Sequence, residues 1–297
     1  MRLYKHLSLS LLLCAGASFT AHAQDSVGVN AAVKGNVTIA SQGQEAAQAI
    51  VKAPVFLGDD INSRKVSSLQ VLLKDETVFT VGPECALTID EFVYDPSKNT
   101  NSLSAKVSKG MFRFMSGNIS KSGPSAVSID TPVASLGVRG TIVEGLVGAD
   151  AIALATSIGM MSPGQSADVN GASLFVLRGP GSRKRGKNTR GEIQVTSGGG
   201  QVTLRQAGQV VFVPSRSAAP IGPIDLPASA FEAFNEQLRT KPTSGPDFRP
   251  FDVDLFVTPP GRVVRQEDPF DSVFEPVDMD WPNEDIFSNP CGVPICP

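Results

Sequence analysis

One arginine enclosed by small residues is the feature of the sequence that most directly suggests chemistry. Arg139 lies between Gly137 and Gly140, and is followed by Thr141, in the β-like stretch TPVASLGVRGTIVEG. Its guanidinium has five donors and stays charged. Because a buried charge persists only when it is paired, we expect a structural role for Arg139, bonding carbonyls or a carboxylate on neighbouring strands. Ligand recognition by an exposed Arg139 is the alternative. The carboxylates available for pairing are Asp75, Asp90 and Glu91.

A second basic feature is the stretch LRGPGSRKRGKNTRGE. It has two readings, a solvated loop between strands or an anion-binding patch, because basic clusters bind polyanions only where geometry concentrates their field. The stretch contains no aromatic residue, so base stacking is not supported and we expect no nucleic-acid partner. The candidate anion-binding residues are Arg178, Arg183, Lys184, Arg185, Lys187 and Arg190.

Histidine is confined to a segment that export would remove. Residues 1–23 have a basic start, an apolar run that is short for a membrane span, and a small-residue cleavage site at Ala21-His22-Ala23. Cys14 raises a lipoprotein alternative. We expect cleavage and a periplasmic or secreted protein, not an integral membrane protein, since no later run is apolar enough to span a bilayer.

The exported chain would therefore lack histidine, because His6 and His22 are the two in the sequence. That excludes Ser-His-Asp and Cys-His catalysis and histidine metal sites. Two-carboxylate chemistry, as in glycan cleavage, needs acids that face each other. Adjacent acids such as Asp90 and Glu91 on a strand point to opposite faces. We expect no enzyme, no cofactor and no metal.

The cysteines suggest one disulfide and one buried thiol. Cys291 and Cys296 are close enough in sequence to close a small loop, and export permits a disulfide between them. Cys85 would then be unpaired, in a stretch that resembles a strand after a turn. We interpret Cys85 as a buried apolar side chain, with a reactive thiol as the alternative.

The acidic character of the chain is concentrated at its end. Residues 246–297 hold 11 acidic and 3 basic residues and 10 of the 22 prolines. Such a composition disfavours a packed core. The segment also has seven large aromatic residues, which a plain spacer would lack. We predict a largely irregular tail that docks either on this protein or on a partner.

The remaining chain predicts an all-β domain over residues 31–216, followed by a helix over 226–241. Short runs rich in β-branched and aromatic residues, such as SLQVLL and GQVVFV, alternate with turn signals. This spacing is typical of a sandwich, barrel or solenoid, and no fixed repeat chooses among them. The helix has Phe231, Phe234 and Leu238 on one face, which fits packing against an edge of the β domain.

Four ordered motifs resemble the FecR-domain family over residues 55–146: VFLGDDI, then SSLQVLLKDETVFTVGPECALTIDEFVYDP, then LSAKVSKGMFRFMSG, then AVSIDTPVASLGVRGT. The resemblance implies an extracytoplasmic, β-solenoid-like domain. Some family members are periplasmic arms of iron-uptake signal transducers, which carry a sigma-factor-binding segment and a membrane helix ahead of the domain. This chain has a cleavable signal there instead, and KDETVFT replaces the usual Asp-Gly-Ser.

Three functions are compatible with these features. The first is a non-enzymatic periplasmic or cell-envelope interaction protein that binds another envelope protein, and the resemblance favours it. The second is a binding module for an envelope glycan or anionic polymer that uses the basic stretch. The third, an enzyme with two carboxylates, has no motif in its favour.

Overall fold

A computed structural model of the chain describes residues 25–98, 100–123, 125–162, 164–179 and 191–238. The described part is mostly β, with two α-helices and a short 3₁₀ helix at Ile119–Lys121. The strands are β1 (Ser26–Lys34), β2 (Val37–Ala40), β3 (Ala47–Gln48), β4 (Pro54–Phe56), β5 (Asp60–Ser63), β6 (Ser68–Leu73), β7 (Val78–Val81), β8 (Ala86–Val93), β9 (Ser102–Met115), β10 (Val127–Asp130), β11 (Ser135–Arg139), β12 (Ile142–Val147), β13 (Ser173–Gly179), β14 (Glu192–Ser197), β15 (Gly200–Leu204), β16 (Gln209–Val213) and β17 (Ile221–Asp225). The helices are α1 (Ala149–Ser157) and α2 (Ala228–Gln237).

The strand pairings join these elements into one open sheet that folds into two layers. The first layer has the order β4-β1-β6-β7-β9-β12-β13-β16-β17. The second layer has the order β3-β2-β5-β8-β9-β10-β11-β14-β15. Among the described strands, neighbours run antiparallel except β9 and β10, which are parallel. The chain thus passes back and forth between two layers, and from β5 onward each layer adds its strands in chain order.

Strand β9 connects the layers. In the second layer, residues 102–109 of this strand pair with β8, and residues 103–106 also pair with β10. In the first layer, residues 110–115 pair with β12. Gly110 marks the change, with a φ of 82° that an L side chain rarely adopts. Residues 102–115 therefore form one bent strand, because a glycine allows the bend without ending the pairing.

Two hydrophobic clusters stabilise the fold. The larger lies between the layers and contains fully buried phenylalanines of β7, β9 and β13, among them Phe79, Phe112 and Phe175. The smaller lies on the outward face of the first layer, where Leu174 and Phe212 pack under α1 and α2. Alternation along each strand supplies both clusters, since successive side chains point to opposite faces.

The predominantly β fold and the short helix after it were predicted correctly from the sequence. Helix α1 was not predicted: it follows Gly148, whose φ is 102°, and its alanine-rich stretch has little periodicity. The β-like stretch at residues 131–145 contains β11 and the start of β12, which lie in different layers and pair with other strands.

In the described residues, no helix is both long enough and apolar enough to cross a membrane.

Candidate functional site

One buried carboxylate and two guanidiniums with little exposed surface form a cluster, which we call the ionic cluster: Arg113, Glu144 and Arg178. Arg113 donates from Nε to Glu144 Oε1 at 2.8 Å, and a second nitrogen lies 2.6 Å from the same oxygen. Arg178 Nε lies 3.1 Å from Glu144 Oε2, as an ion pair that is not aligned as a hydrogen bond. The side chains are 16%, 0% and 3% exposed, respectively.

Strand register brings the three residues together. Glu144 on β12 lies directly opposite Arg113 on β9. The β12–β13 register shifts so that Ile142 faces Gly179 and Val143 faces Leu177, which leaves Arg178 as the extra residue of a bulge. Bulges of this kind re-aim a side chain. All three charged side chains therefore lie on the outward face of the first layer, not between the layers.

Helix α2 lies over the ionic cluster. The Arg178 guanidinium carbon is 4.2 Å from the centre of the Phe231 ring, which is a cation–π geometry. Phe234 on this helix and Leu238, the residue that follows the helix, are buried in the smaller hydrophobic cluster. Burial lowers the pKa of Arg178, and the nearby Glu144 carboxylate opposes that shift. The ionic cluster and helix α2 are thus parts of one packed unit.

This arrangement is suited to holding elements in place rather than to turning over a substrate. Glu144 contacts guanidiniums of two other strands, and Arg178 also contacts the helix. Isolated buried charges would be costly, and pairing is what makes them tolerable. Sequence reasoning missed the cluster, because a Glu in IVEGLV and an Arg in GMFRFM resemble the outward residues of amphipathic strands.

The expectation that Arg139 is a buried side chain paired with a neighbouring strand was wrong. Its side chain is exposed at the end of β11, because alternation sends Leu136 and Val138 inward and leaves Arg139 on the outer face. It lies opposite Glu192, whose carboxylate accepts a bond from Arg205 Nε at 2.9 Å. The buried pairing with Asp75, Asp90 or Glu91 is therefore absent.

The residues around Arg139 help to join strands. Gly140 has a φ of 58°, so it turns the chain between β11 and β12. Thr141 donates its backbone N–H to the Ser116 hydroxyl at 3.0 Å, and that hydroxyl donates to the Thr141 carbonyl at 2.8 Å. Gly137 faces Ser128 and Gln194 on the strands to either side.

Asp75 has a different role from the one expected. It is fully buried in the turn between β6 and β7, where it accepts bonds from the Thr77 hydroxyl at 2.8 Å and from the Ile119 backbone N–H at 3.1 Å. These contacts tie the KDET turn to the 3₁₀ helix. Glu76 takes the left-handed conformation, with a φ of 70°, that a glycine often supplies in such a turn.

The predicted anion-binding patch is partly contradicted. Arg178 is buried in the ionic cluster and is not available as a surface contact for a polyanion. The other five residues of that prediction lie outside the described residues. The predicted disulfide cysteines, Cys291 and Cys296, also lie outside them, as do the signal segment and the tail.

The interpretation of Cys85 as a buried side chain is confirmed. Its side chain has no exposed surface, and burial raises the pKa of its thiol to about 12, although a backbone hydrogen bond from Gly82 and the charge of Lys109 oppose the shift. The thiol is free. A reactive thiolate would need the opposite environment, exposed and electropositive.

The ends of the two layers are the places where backbone groups can accept another strand. Three of these edges are protected by features that discourage pairing. Strand β3 has two residues, β4 begins with Pro54, and β17 contains Pro223. Strand β15 has neither proline nor charge, and among the described strands it pairs with β14 alone. It is the least protected edge of the described fold.

Comparisons with known proteins identify one family. The profile of the family described as FecR protein matches residues 59–161, about a third of the chain, and confirms the resemblance over that segment. The match includes Arg113 and Glu144 but ends before Arg178. No curated protein matches the chain.

Two crystal structures of a "putative anti-sigma factor" from Parabacteroides distasonis ATCC 8503 are similar to the chain. One, at 2.50 Å resolution, has a TM-score of 0.37, and the other, at 1.65 Å, has a TM-score of 0.36. Each is 11% identical, and the aligned part covers 59% of this chain and 63% of that chain. Structural similarity at these TM-scores does not indicate a function for this chain.

Proposed function

We propose that the protein is a non-enzymatic interaction protein of the cell envelope, exported to the periplasm or beyond, that uses its FecR-like β domain to bind a protein partner. The observation that carries the proposal is that β15 is the least protected edge strand of the described fold. Its residues Gly200 and Gln201 are exposed, and its backbone is paired on one side by β14. An extended segment of a partner adds to such an edge through main-chain hydrogen bonds.

A non-enzymatic role is supported by the burial and the hydrogen bonding of acidic side chains in the described part of the chain. Asp75 and Glu144 are fully buried and are engaged by neighbouring groups. Asp59 is buried and accepts a bond from the Phe56 backbone N–H, while its neighbour Asp60 is exposed and bonds Thr88. Adjacent acids that point to opposite faces cannot act on one bond. Together with the lack of histidine after residue 22, this favours binding over catalysis.

As part of this proposal, the β domain is solenoid-like. From β5 onward each layer adds strands in chain order, so successive strands stack along one axis, and each layer has a terminal strand at each end. The terminal strands of such a stack present unpaired backbone groups to which an extended segment can add. A simple β-solenoid has parallel strands, whereas the described strands here are antiparallel except for β9 and β10. The term solenoid-like therefore refers only to the direction in which the strands stack.

A binding module for an envelope glycan or anionic polymer is the second candidate. It depends on the basic stretch at residues 178–190. The burial of Arg178 removes one of its six cations from the surface, so the candidate rests on the other five. Binding that weakens steeply between low and high salt would favour this alternative over a protein partner.

The proposal is tested by affinity capture from envelope extract with matched variants. The test variant is Gln201→Lys/Thr203→Lys, because lysines on an edge strand disfavour strand addition. The control is Gln194→Lys, an exposed residue directly opposite Thr203 on the interior strand β14. We expect a specific partner to be retained by the wild type and the control and to be lost with the test variant. A partner retained equally by all three proteins would contradict binding at β15.

A further inference from the structure

The outward face of β1, β6 and β7 carries a surface that we call the outer patch. Val29, Leu72 and Val78 form an apolar row across the three strands, since each lies opposite the next. Gln70 and Thr80, opposite each other, form an uncharged polar row beside it. The polar row leads to Arg113 of the ionic cluster, which faces Thr80.

Three residues of the outer patch are buried, although no residue of the patch belongs to either hydrophobic cluster. Leu72, Val78 and Thr80 are 4%, 6% and 1% exposed. The described helices pack in the smaller cluster, whose members lie on β9, β12, β13 and β16 and do not include Leu72 or Val78. A sheet face that is open to water leaves its outward side chains solvated. The patch therefore calls for a covering segment of its own.

Helix α2 ends near this patch. The helix lies on the outward face of the first layer, with Phe231 over Arg178. At its end, the Cδ2 atom of Leu238 lies 2.7 Å from the position that a Cβ atom would take at Gly82. Gly82 follows directly on β7 and bonds the Met111 carbonyl. The last described residue of the chain, Leu238, therefore lies beside the end of β7, one of the three strands that carry the patch.

The chain that follows is long enough and has suitable chemistry. Residues 239–297 follow α2, and Phe248 comes ten residues after Leu238. Ten extended residues reach about 33 Å, whereas three strands spaced about 4.8 Å apart span about 10 Å. The stretch 251–256 alternates acids with apolar residues, and residues 246–297 have 11 acids against 3 basic residues. This charge is complementary to the ionic cluster, which has two guanidiniums and one carboxylate.

We infer that the chain beyond α2 folds back within the same molecule onto the outer patch, with the apolar side chains of residues 248–256 against Val29, Leu72 and Val78. The aromatic residues supply the apolar area, and the acids lie toward Arg113. This inference is independent of partner binding at β15, since the outer patch and β15 are in different layers. The tail is then an internal part of the fold, not a free arm.

The test uses the full exported chain with one spin label. Cys291→Ser and Cys296→Ser remove the tail thiols, Cys85 stays unreactive because it is buried, and Thr258→Cys carries the label just beyond the docking stretch. We expect broadening of the backbone amide signals of Gln70, Leu72 and Thr80. The signals of Thr88 and Ser104, outward residues of the second layer, should keep their intensity.

A paired substitution distinguishes docking from chance proximity. Val78→Lys places a charge in the apolar row and should abolish the broadening, while Val66→Lys, at an exposed turn, should leave it intact. The amide spectrum of each variant shows whether the fold is kept, and Gln70→Glu serves as a milder second variant. Broadening that is absent, or spread evenly over both layers, overturns the inference. Broadening that appears only between labelled and unlabelled molecules in a mixture assigns the patch to a second copy and also overturns it.

Discussion

Substitution of Glu144 by Gln is the perturbation that most directly examines the ionic cluster. Gln keeps the size of Glu but loses the charge that faces Arg113 and Arg178. Because Glu144 is fully buried, the two guanidiniums would be left without their shared carboxylate. Removing one partner of a buried ion pair typically costs about 3–5 kcal/mol. For a domain of this size, that loss lowers the melting temperature by about 6–20 °C.

The matched control is Glu192→Gln. Glu192 also accepts a bond from an arginine, Arg205, at 2.9 Å, but the two side chains are 31% and 64% exposed. An exposed pair contributes about 0–1 kcal/mol because water and salt screen it. Thermal unfolding followed by circular dichroism compares the variants, with urea denaturation as a second measure of the free energy of unfolding.

A triple replacement completes the experiment. Converting Arg113 and Arg178 to Met and Glu144 to Leu removes every charge of the ionic cluster at once. Replacing a whole buried charge cluster by apolar residues of similar size is often neutral or stabilising. We therefore expect the triple variant to recover most of the stability that Glu144→Gln loses. If Glu144→Gln costs no more than Glu192→Gln, the structural role assigned to the cluster is refuted.

Three further predictions concern other parts of the chain. Arg139→Ala should change the free energy of unfolding by less than about 0.5 kcal/mol, because the side chain is exposed; a loss of several kcal/mol in urea denaturation would show a buried partner. The thiol of Cys85, with a pKa raised to about 12 from 9.0, should resist thiol reagents until the protein unfolds. Because the unfolded thiol loses its proton at lower pH than the folded one, its contribution to stability should be present below pH 9 and decline toward pH 12, relative to Cys85→Ala. Cys291 and Cys296 should be linked in the exported protein, as mass spectrometry without reductant would reveal by a mass two hydrogens lower; two free thiols there would refute the pairing.

The strand content was predictable because alternation and turn residues are local signals. The runs SLQVLL and GQVVFV became β6 and β16, and the phenylalanines of α2 pack as their spacing indicated. Strand partners were not predictable, because they depend on contacts between residues distant in sequence. The stretch containing β11 and β12 shows this, since neighbouring strands in the chain entered different layers.

The candidate site was the least predictable feature, for the same reason. Arg139 attracted attention through its local setting between glycines, yet alternation places it on the surface. Glu144 and Arg178 are 34 positions apart and meet only because β12 and β13 pair with a bulge. A one-residue bulge has no distinct sequence signal, although it decides the direction in which Arg178 points.

Hydrogen exchange of the protein with and without its captured partner shows directly whether the partner binds at β15. We expect the partner to slow amide exchange in residues 200–204, which form the edge strand β15, and to leave exchange in the short edge strand β3 unchanged. Exchange that slows on the sheet faces and leaves residues 200–204 unaffected would contradict partner binding by strand addition.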